Sequence, residues 1–253
     1  MKRKKNSVNS TDPKSMLLSS KSSFSLQEAY KTLRTNVTFS LPGNGSKCIG
    51  VTSAVRGEGK STIAINLSIS LAQLDKRVVL IDCDMRLPTV ITKLDIKADE
   101  GLSNYLSGGI DQLPIYQIVK YGIDLIPSGN IPPDSTVLIE SEGMKNVISA
   151  LKNSYDYIIL DFPPINIVSD AVLIADRIDG YLVVTRHNYS EKKKIGEAIR
   201  QLNFSGANII GIVYNGKSNE KKYYKNRYQY KYRYDYYYYK KKDGKKDSKK
   251  ESV

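Results

Sequence analysis

Short apolar runs recur between positions 48 and 213, most followed by a longer stretch whose apolar residues return every three or four positions. The runs at 48–52, 78–81, 123–126, 157–160, 181–185 and 209–213 are rich in Val, Ile and Leu. Their apolar positions are consecutive rather than alternate, the pattern of strands covered on both faces. Segment 24–40 carries Leu26, Tyr30, Leu33 and Val37 on one helical face. Segments 61–74, 135–151 (after Pro132 and Pro133) and 191–202 also read as helices, and 102–106 as a short helix closed by Gly108 and Gly109. Strands separated by helices predict an α/β fold, a mostly parallel sheet with helices on both faces.

Outside this frame the pattern stops. Residues 1–23 are mostly Ser, Lys and Asn, and residues 217–253 mostly Lys, Arg, Tyr and Asp. The expected organisation is a disordered N-terminus over 1–23, one domain over 24–216 and a disordered tail over 217–253. No apolar run approaches the ~20 residues that cross a bilayer. The basic start is followed by a polar stretch, so no signal peptide is expected. With two cysteines, Cys48 and Cys83, each inside or beside a strand run, and one histidine, neither a disulfide framework nor a metal-ligand spacing is present, and a reducing cytoplasm fits.

Charge refines the picture. The formal net charge is +13, and the ends hold all of it. Residues 217–253 contain fourteen Lys or Arg against five Asp or Glu, and residues 1–14 contain five against one. The basic character belongs to the tails and says nothing about the fold. Within the C-terminal tail stand ten tyrosines: Tyr223, Tyr224, Tyr228, Tyr230, Tyr232, Tyr234, Tyr236, Tyr237, Tyr238 and Tyr239. No aliphatic residue lies among them, so burial cannot repay their ordering and the phenols are expected to be exposed.

Three strand ends carry chemistry. After the first run comes Ala54-Val55-Arg56-Gly57-Glu58-Gly59-Lys60-Ser61-Thr62, a Walker A loop with Ala54 where the pattern asks for Gly. Its glycines let backbone amides curl around phosphates, Lys60 can reach the β and γ oxygens, and Ser61 can ligate Mg²⁺. After the second run come Asp82, Asp84 and Arg86. Asp82 and Asp84 share a face of an extended backbone and can converge at the carboxyl edge of the sheet, where α/β folds bind ligands. After the fourth run comes Asp161, placed for a Walker B role near a bound cation. Asn215 follows the sixth run, where it is either a turn residue or, as a similar Asn in ATPases that this chain resembles implies, an adenine contact; Asp170 is expected to cap a helix.

From about Ser25 to Gly216 this set resembles the bacterial tyrosine kinases, in the cytoplasmic branch linked to capsule and exopolysaccharide synthesis. Lys60, Ser61 and Thr62 match that family's Walker A, Asp82, Asp84 and Arg86 its second acidic motif, and Asp161 its Walker B. The family's Glu-x-x-Arg-x-x-Arg subunit-joining motif reads here as Glu28, Lys31 and Arg34, with Lys31 replacing the first Arg. The wider deviant Walker ATPases carry a lysine where this chain has Val55, which argues against that branch.

The resemblance implies a P-loop NTPase-type fold and an ATP- and Mg²⁺-dependent protein-tyrosine kinase. Gly57, Glu58, Gly59, Lys60, Ser61 and Thr62 would hold the nucleotide, with Asn215 as a further candidate. Ser61, Asp84 and Asp161 would hold Mg²⁺, and Asp82 would accept or orient the tyrosine proton. It also implies autophosphorylation of the tyrosine cluster in trans within a homo-oligomeric ring joined through Glu28, Lys31 and Arg34. A separate transmembrane activator acting in polysaccharide synthesis would hold the protein at the inner face of the cell membrane, and a cognate phosphatase would reset it. The alternative is an ATPase switch whose basic tail binds nucleic acid or anionic membrane; nucleic acid is not the expected partner.

Overall fold

The computed structural model describes residues 16–216. The expectations for residues 1–15 and 217–253, the tyrosine cluster included, lie outside the described residues. The alternation of apolar runs and amphipathic segments becomes a seven-stranded sheet with helices on both faces. The strands are β1 (Lys47–Ser53), β2 (Val78–Asp82), β3 (Tyr116–Ile118), β4 (Ile123–Ile126), β5 (Tyr157–Asp161), β6 (Gly180–Arg186) and β7 (Ile209–Asn215). Their order is β3-β4-β2-β5-β1-β6-β7, parallel throughout except for β3, which pairs antiparallel with β4 at one edge.

One face of the sheet is covered by α1 (Phe24–Ser40), α2 (Lys60–Ala72) and α3 (Val90–Leu94), which pack Tyr30, Val37, Ile65, Leu67, Val90 and Leu94 into one core layer. The other face is covered mainly by α6 (Glu142–Lys152), α7 (Asp170–Leu173) and α8 (Lys192–Phe204), through Met144, Val147, Ile148, Ala171, Ala198 and Leu202. Short helices α4 (Leu102–Leu106) and α5 (Ser135–Glu140) close the carboxyl side. The central strands β1, β2 and β5 are buried almost throughout, which is why they read as continuous apolar runs. Packing there is tight: a Cβ on Gly50 of β1 would stand 2.5 Å from the Tyr181 ring on β6.

Three details differ from the sequence expectation. Segment 135–151 is two helices, because Ser141 turns its hydroxyl to the Met144 amide and starts α6 afresh. The edge strand β3 and the short helices α3 and α7 carry too few residues for periodicity to register. Residues 16–23, expected to belong to the disordered N-terminus, pack instead. Leu17 and Leu18 are buried, and the fully buried Asn66 side chain accepts from the Leu18 amide at 2.7 Å and donates to the Met16 carbonyl at 2.9 Å. A segment whose apolar residues are only Met16, Leu17 and Leu18 is held by one polar side chain from α2.

Strand order explains the site. β5 lies between β1 and β2, and the register sets Asp161 opposite Val51 on one side and Asp82 on the other. The loop leaving β1, the end of β5 and the end of β2 therefore meet at one carboxyl edge.

Candidate active site

Residues 54–59 curl at the end of β1 into α2. Gly57 and Gly59 have φ of 80° and 97°, a left-handed backbone that glycine tolerates without strain. Lys60 then begins α2, whose first amides and positive end face the loop. A cavity of about 220 Å³ opens here, lined by residues that include Gly59, Lys60, Ser61, Thr62, Asp84, Arg86 and Pro163.

Lys60 Nζ donates to Asp84 Oδ2 at 2.8 Å and lies 3.5 Å from Asp161 Oδ1. Thr89 Oγ1 donates to Ser61 Oγ at 3.1 Å. Asp161 is fully buried, and neither of its carboxylate oxygens has a hydrogen-bond partner. Such a group costs free energy unless a cation or water completes it. Burial raises its pKa above the ordinary carboxylate range, against the opposing pull of Lys60. Burial also lowers the Lys60 pKa, but Asp161 and Asp84 more than compensate, so the ammonium is held charged.

Among the described residues no three His, Cys, Asp or Glu side chains are arranged to hold a metal ion by themselves. The acceptors at the loop fit a Mg²⁺ that keeps most of its coordination in water and phosphate oxygens: the Ser61 hydroxyl, the Asp84 carboxylate and the unpartnered Asp161 carboxylate.

Asp82 sits differently from its expected place. It is fully buried, its Oδ1 accepts from the Asp84 amide at 3.2 Å and its Oδ2 from the Val90 amide at 3.3 Å. Asp84 lines the cavity; Asp82 lies behind it. Burial first, and the Asp161 charge next, push the Asp82 pKa well above the usual range. With both oxygens on backbone amides, Asp82 anchors the turn that presents Asp84 and the start of α3, and it does not line the cavity where a tyrosine hydroxyl would be met.

Arg86 Nη2 donates to Thr136 Oγ1 at 2.9 Å, and Thr136 Oγ1 donates to the buried Asp170 Oδ1 at 3.1 Å. The helix cap expected at Asp170 is Ser169, and Asp170 is the first residue of α7. Its carboxylate turns instead toward α5 and Arg86, 3.9 Å from the guanidinium. Asn215, at the end of β7, donates from Nδ2 to the Glu58 carbonyl at 2.9 Å and so meets the phosphate loop from outside.

The subunit-joining candidates lie on α1. Glu28 and Lys31 pair within the helix at 2.9 Å, and Arg34 donates to the Ser70 carbonyl of α2. No described feature brings these three to the nucleotide cavity. Residues that sequence reasoning missed include Thr89, Thr136, Tyr189 and Ser190. A lone hydroxyl carries no spacing signal, and only the fold brings Thr89, Tyr189 and Ser190 to the phosphate loop and Thr136 to Arg86 and Asp170.

Residues 46–203 match the AAA domain family. The chain is 38% identical over 200 residues to the tyrosine-protein kinase CpsD of Streptococcus agalactiae serotype III, across 77% of this chain and 83% of that protein. It is 34% identical over 219 residues to the tyrosine-protein kinase YwqD of Bacillus subtilis, across 86% and 88% of the two chains. Among solved structures, the kinase domain of the Escherichia coli tyrosine kinase ETK superposes with a TM-score of 0.75 at 29% identity, covering 78% of each chain. A phosphate loop faced by carboxylates from two neighbouring strands, in a chain with these relatives over most of its length, belongs to the AAA-type family of bacterial tyrosine-protein kinases.

Proposed function

We propose that this tyrosine kinase transfers the γ-phosphoryl group of ATP to tyrosines of its own C-terminal cluster, with the tail of one subunit entering the site of another. The observation that carries the reading is the meeting of Lys60, Asp84 and the buried Asp161 carboxylate at the phosphate loop. Phosphoryl transfer needs positioning and charge neutralisation more than covalent chemistry, and this cluster supplies both. Amides of residues 57–62 hold the phosphates. Lys60 leaves Asp84 to follow the transferred group, freeing that carboxylate. Ser61, Asp84 and Asp161 would hold a Mg²⁺, which would supply neutralisation of phosphate charge there. A free tyrosine has a pKa of about 10, so its hydroxyl needs an acceptor near neutral pH. Asp84 reaches the cavity for that task, with Asp82 holding it in place.

The relatives named CpsD support a role in capsule or exopolysaccharide synthesis. Among the described residues no helix is long and apolar enough to cross a membrane, so a separate transmembrane activator is the proposed anchor and a cognate phosphatase the proposed counterpart. Purified full-length chain incubated with Mg²⁺ and ATP, with and without activator, is expected to gain phosphotyrosine in the segment 223–239, read by mass spectrometry of its peptides. Nucleotide hydrolysis without any phosphotyrosine would favour the ATPase-switch alternative.

A further inference from the structure

Three consecutive carbonyls of the phosphate loop each accept a hydrogen bond from a side chain outside it. Tyr189 Oη donates to the Arg56 carbonyl at 3.0 Å, Arg186 Nη1 to the Gly57 carbonyl at 2.9 Å, and Asn215 Nδ2 to the Glu58 carbonyl at 2.9 Å. In a trans peptide the carbonyl and the following amide point opposite ways. Fixing these carbonyls outward turns the amides of Gly57, Glu58 and Gly59 to the inner side of the loop, where phosphate oxygens are received.

The support is itself tied together. Arg186 lies over the Tyr189 ring, 5.4 Å from its centroid. Ser190 Oγ accepts from the Arg186 amide at 2.6 Å and donates to the Glu58 carboxylate, which also accepts from the Val55 amide at 2.9 Å. The His187 amide donates to the Asn215 carbonyl at 2.8 Å and links the ends of β6 and β7. The contact is close: a Cβ on Gly59 would lie 2.1 Å from Asn215 Nδ2 and displace that amide, and one on Gly57 would lie 3.1 Å from Tyr189 Oη.

We propose that Arg186, Tyr189 and Asn215 are positioning residues that hold the phosphate loop with its amides turned inward before nucleotide arrives. This deepens the nucleotide reading above and rests on it. It assigns Asn215 to the loop rather than to adenine.

The test uses the full chain carrying Tyr189→Phe, Arg186→Leu, Arg186→Lys or Asn215→Ala. Binding of inorganic triphosphate with Mg²⁺ isolates the phosphate cradle; binding of Mg·ATP adds the adenosine. Loss of one hydrogen bond is expected to weaken both ligands by the same factor, about twofold to tenfold. The KM for ATP should rise in step while kcat changes less, with Arg186→Lys recovering part of what Arg186→Leu loses. Triphosphate affinity equal to wild type in Tyr189→Phe and Arg186→Leu would overturn the brace. Asn215→Ala that weakens ATP but not triphosphate would return Asn215 to the adenine. Tyr189→Phe deletes one oxygen from a half-exposed ring and keeps the fold, so it decides the case if the larger changes misfold. Wild-type chain that binds neither ligand would overturn the nucleotide reading and the brace with it.

Discussion

Lys60 is the residue on which the site turns, because this largely enclosed cation pairs with two buried carboxylates, Asp84 and Asp161, with a third, Asp82, close enough to add its charge. Replacing it by Met removes the charge that follows the phosphoryl group, and Lys60→Met is expected to lose tail phosphorylation entirely while keeping the native circular-dichroism spectrum. Labelling at the wild-type rate would exclude Lys60 from that role. The same cluster makes ligand-free stability depend on pH. Asp82 and Asp161 have folded-state pKa values above their unfolded ones, chiefly through burial. Between those values the native state holds protons that the unfolded chain has released, so stability falls as pH rises. In Mg²⁺-free, nucleotide-free buffer the thermal midpoint is expected to drop as pH climbs above the ordinary carboxylate range of about 4, and Asp161→Asn should flatten that slope. A midpoint that rises over the same interval in wild type would show these carboxylates to be stabilised as anions.

At the scale of elements, position on the sheet decides more than propensity does. Asp82 and Asp161 face one another only because β2 and β5 are neighbours in register, and the phosphate loop joins them because β1 flanks β5 on the other side. On the face covered by α1 and α2, a single amide organises the entry of the chain. Asn66 on α2 holds the Leu18 amide, the Met16 carbonyl and the Tyr30 hydroxyl, all at 2.7–3.0 Å. Asn66→Ala leaves buried polar groups unpaired, at a cost of about 1–3 kcal/mol. The expected result is a lower urea midpoint together with new proteolytic cleavage near residues 16–18. Unchanged cleavage and midpoint would mean that Leu17 and Leu18 seat themselves by apolar contact alone.

At the scale of the whole molecule, the proposed reaction would couple charge to assembly. The tail over 217–253 carries fourteen Lys or Arg against five Asp or Glu. Each phosphotyrosine adds about −1.5 to −2 charges, so about five or six of them neutralise the net +9 of the tail and further ones make it anionic. A tail that becomes anionic is repelled by the acidic cluster of the site. Treatment with ATP is therefore expected to lower the oligomer mass measured by light scattering and to reduce binding to anionic liposomes. A phosphorylated chain that stays assembled and equally bound would make the tail a product and not a switch. Replacing Glu28, Lys31 and Arg34 together by Ala should dissolve the unphosphorylated oligomer. Because Arg34 also holds the Ser70 carbonyl within its own subunit, that variant should lose a little stability as well, and Glu28→Ala with Lys31→Ala separates the two effects.

The sequence by itself determined the α/β class, the six principal strands and the helix over 24–40, and it singled out Lys60, Asp82, Asp84 and Asp161 as candidates at three strand ends. These follow from local rules: apolar runs report burial on both faces, and glycines before Lys60 report a backbone that wraps phosphate. Only the tertiary structure decided the rest. Strand order set Asp82 behind Asp84, pairing both its oxygens with backbone amides. It turned Asp170 from a helix cap into the buried partner of Thr136 and Arg86, and it set Asn215, read from sequence as an adenine contact or a turn residue, at the end of β7 with its amide on the Glu58 carbonyl. Glu58 and Ser190 stand 132 positions apart, yet their side chains are hydrogen-bonded. Periodicity is a property of neighbours along the chain, whereas these contacts exist only once the sheet has chosen which strands lie side by side.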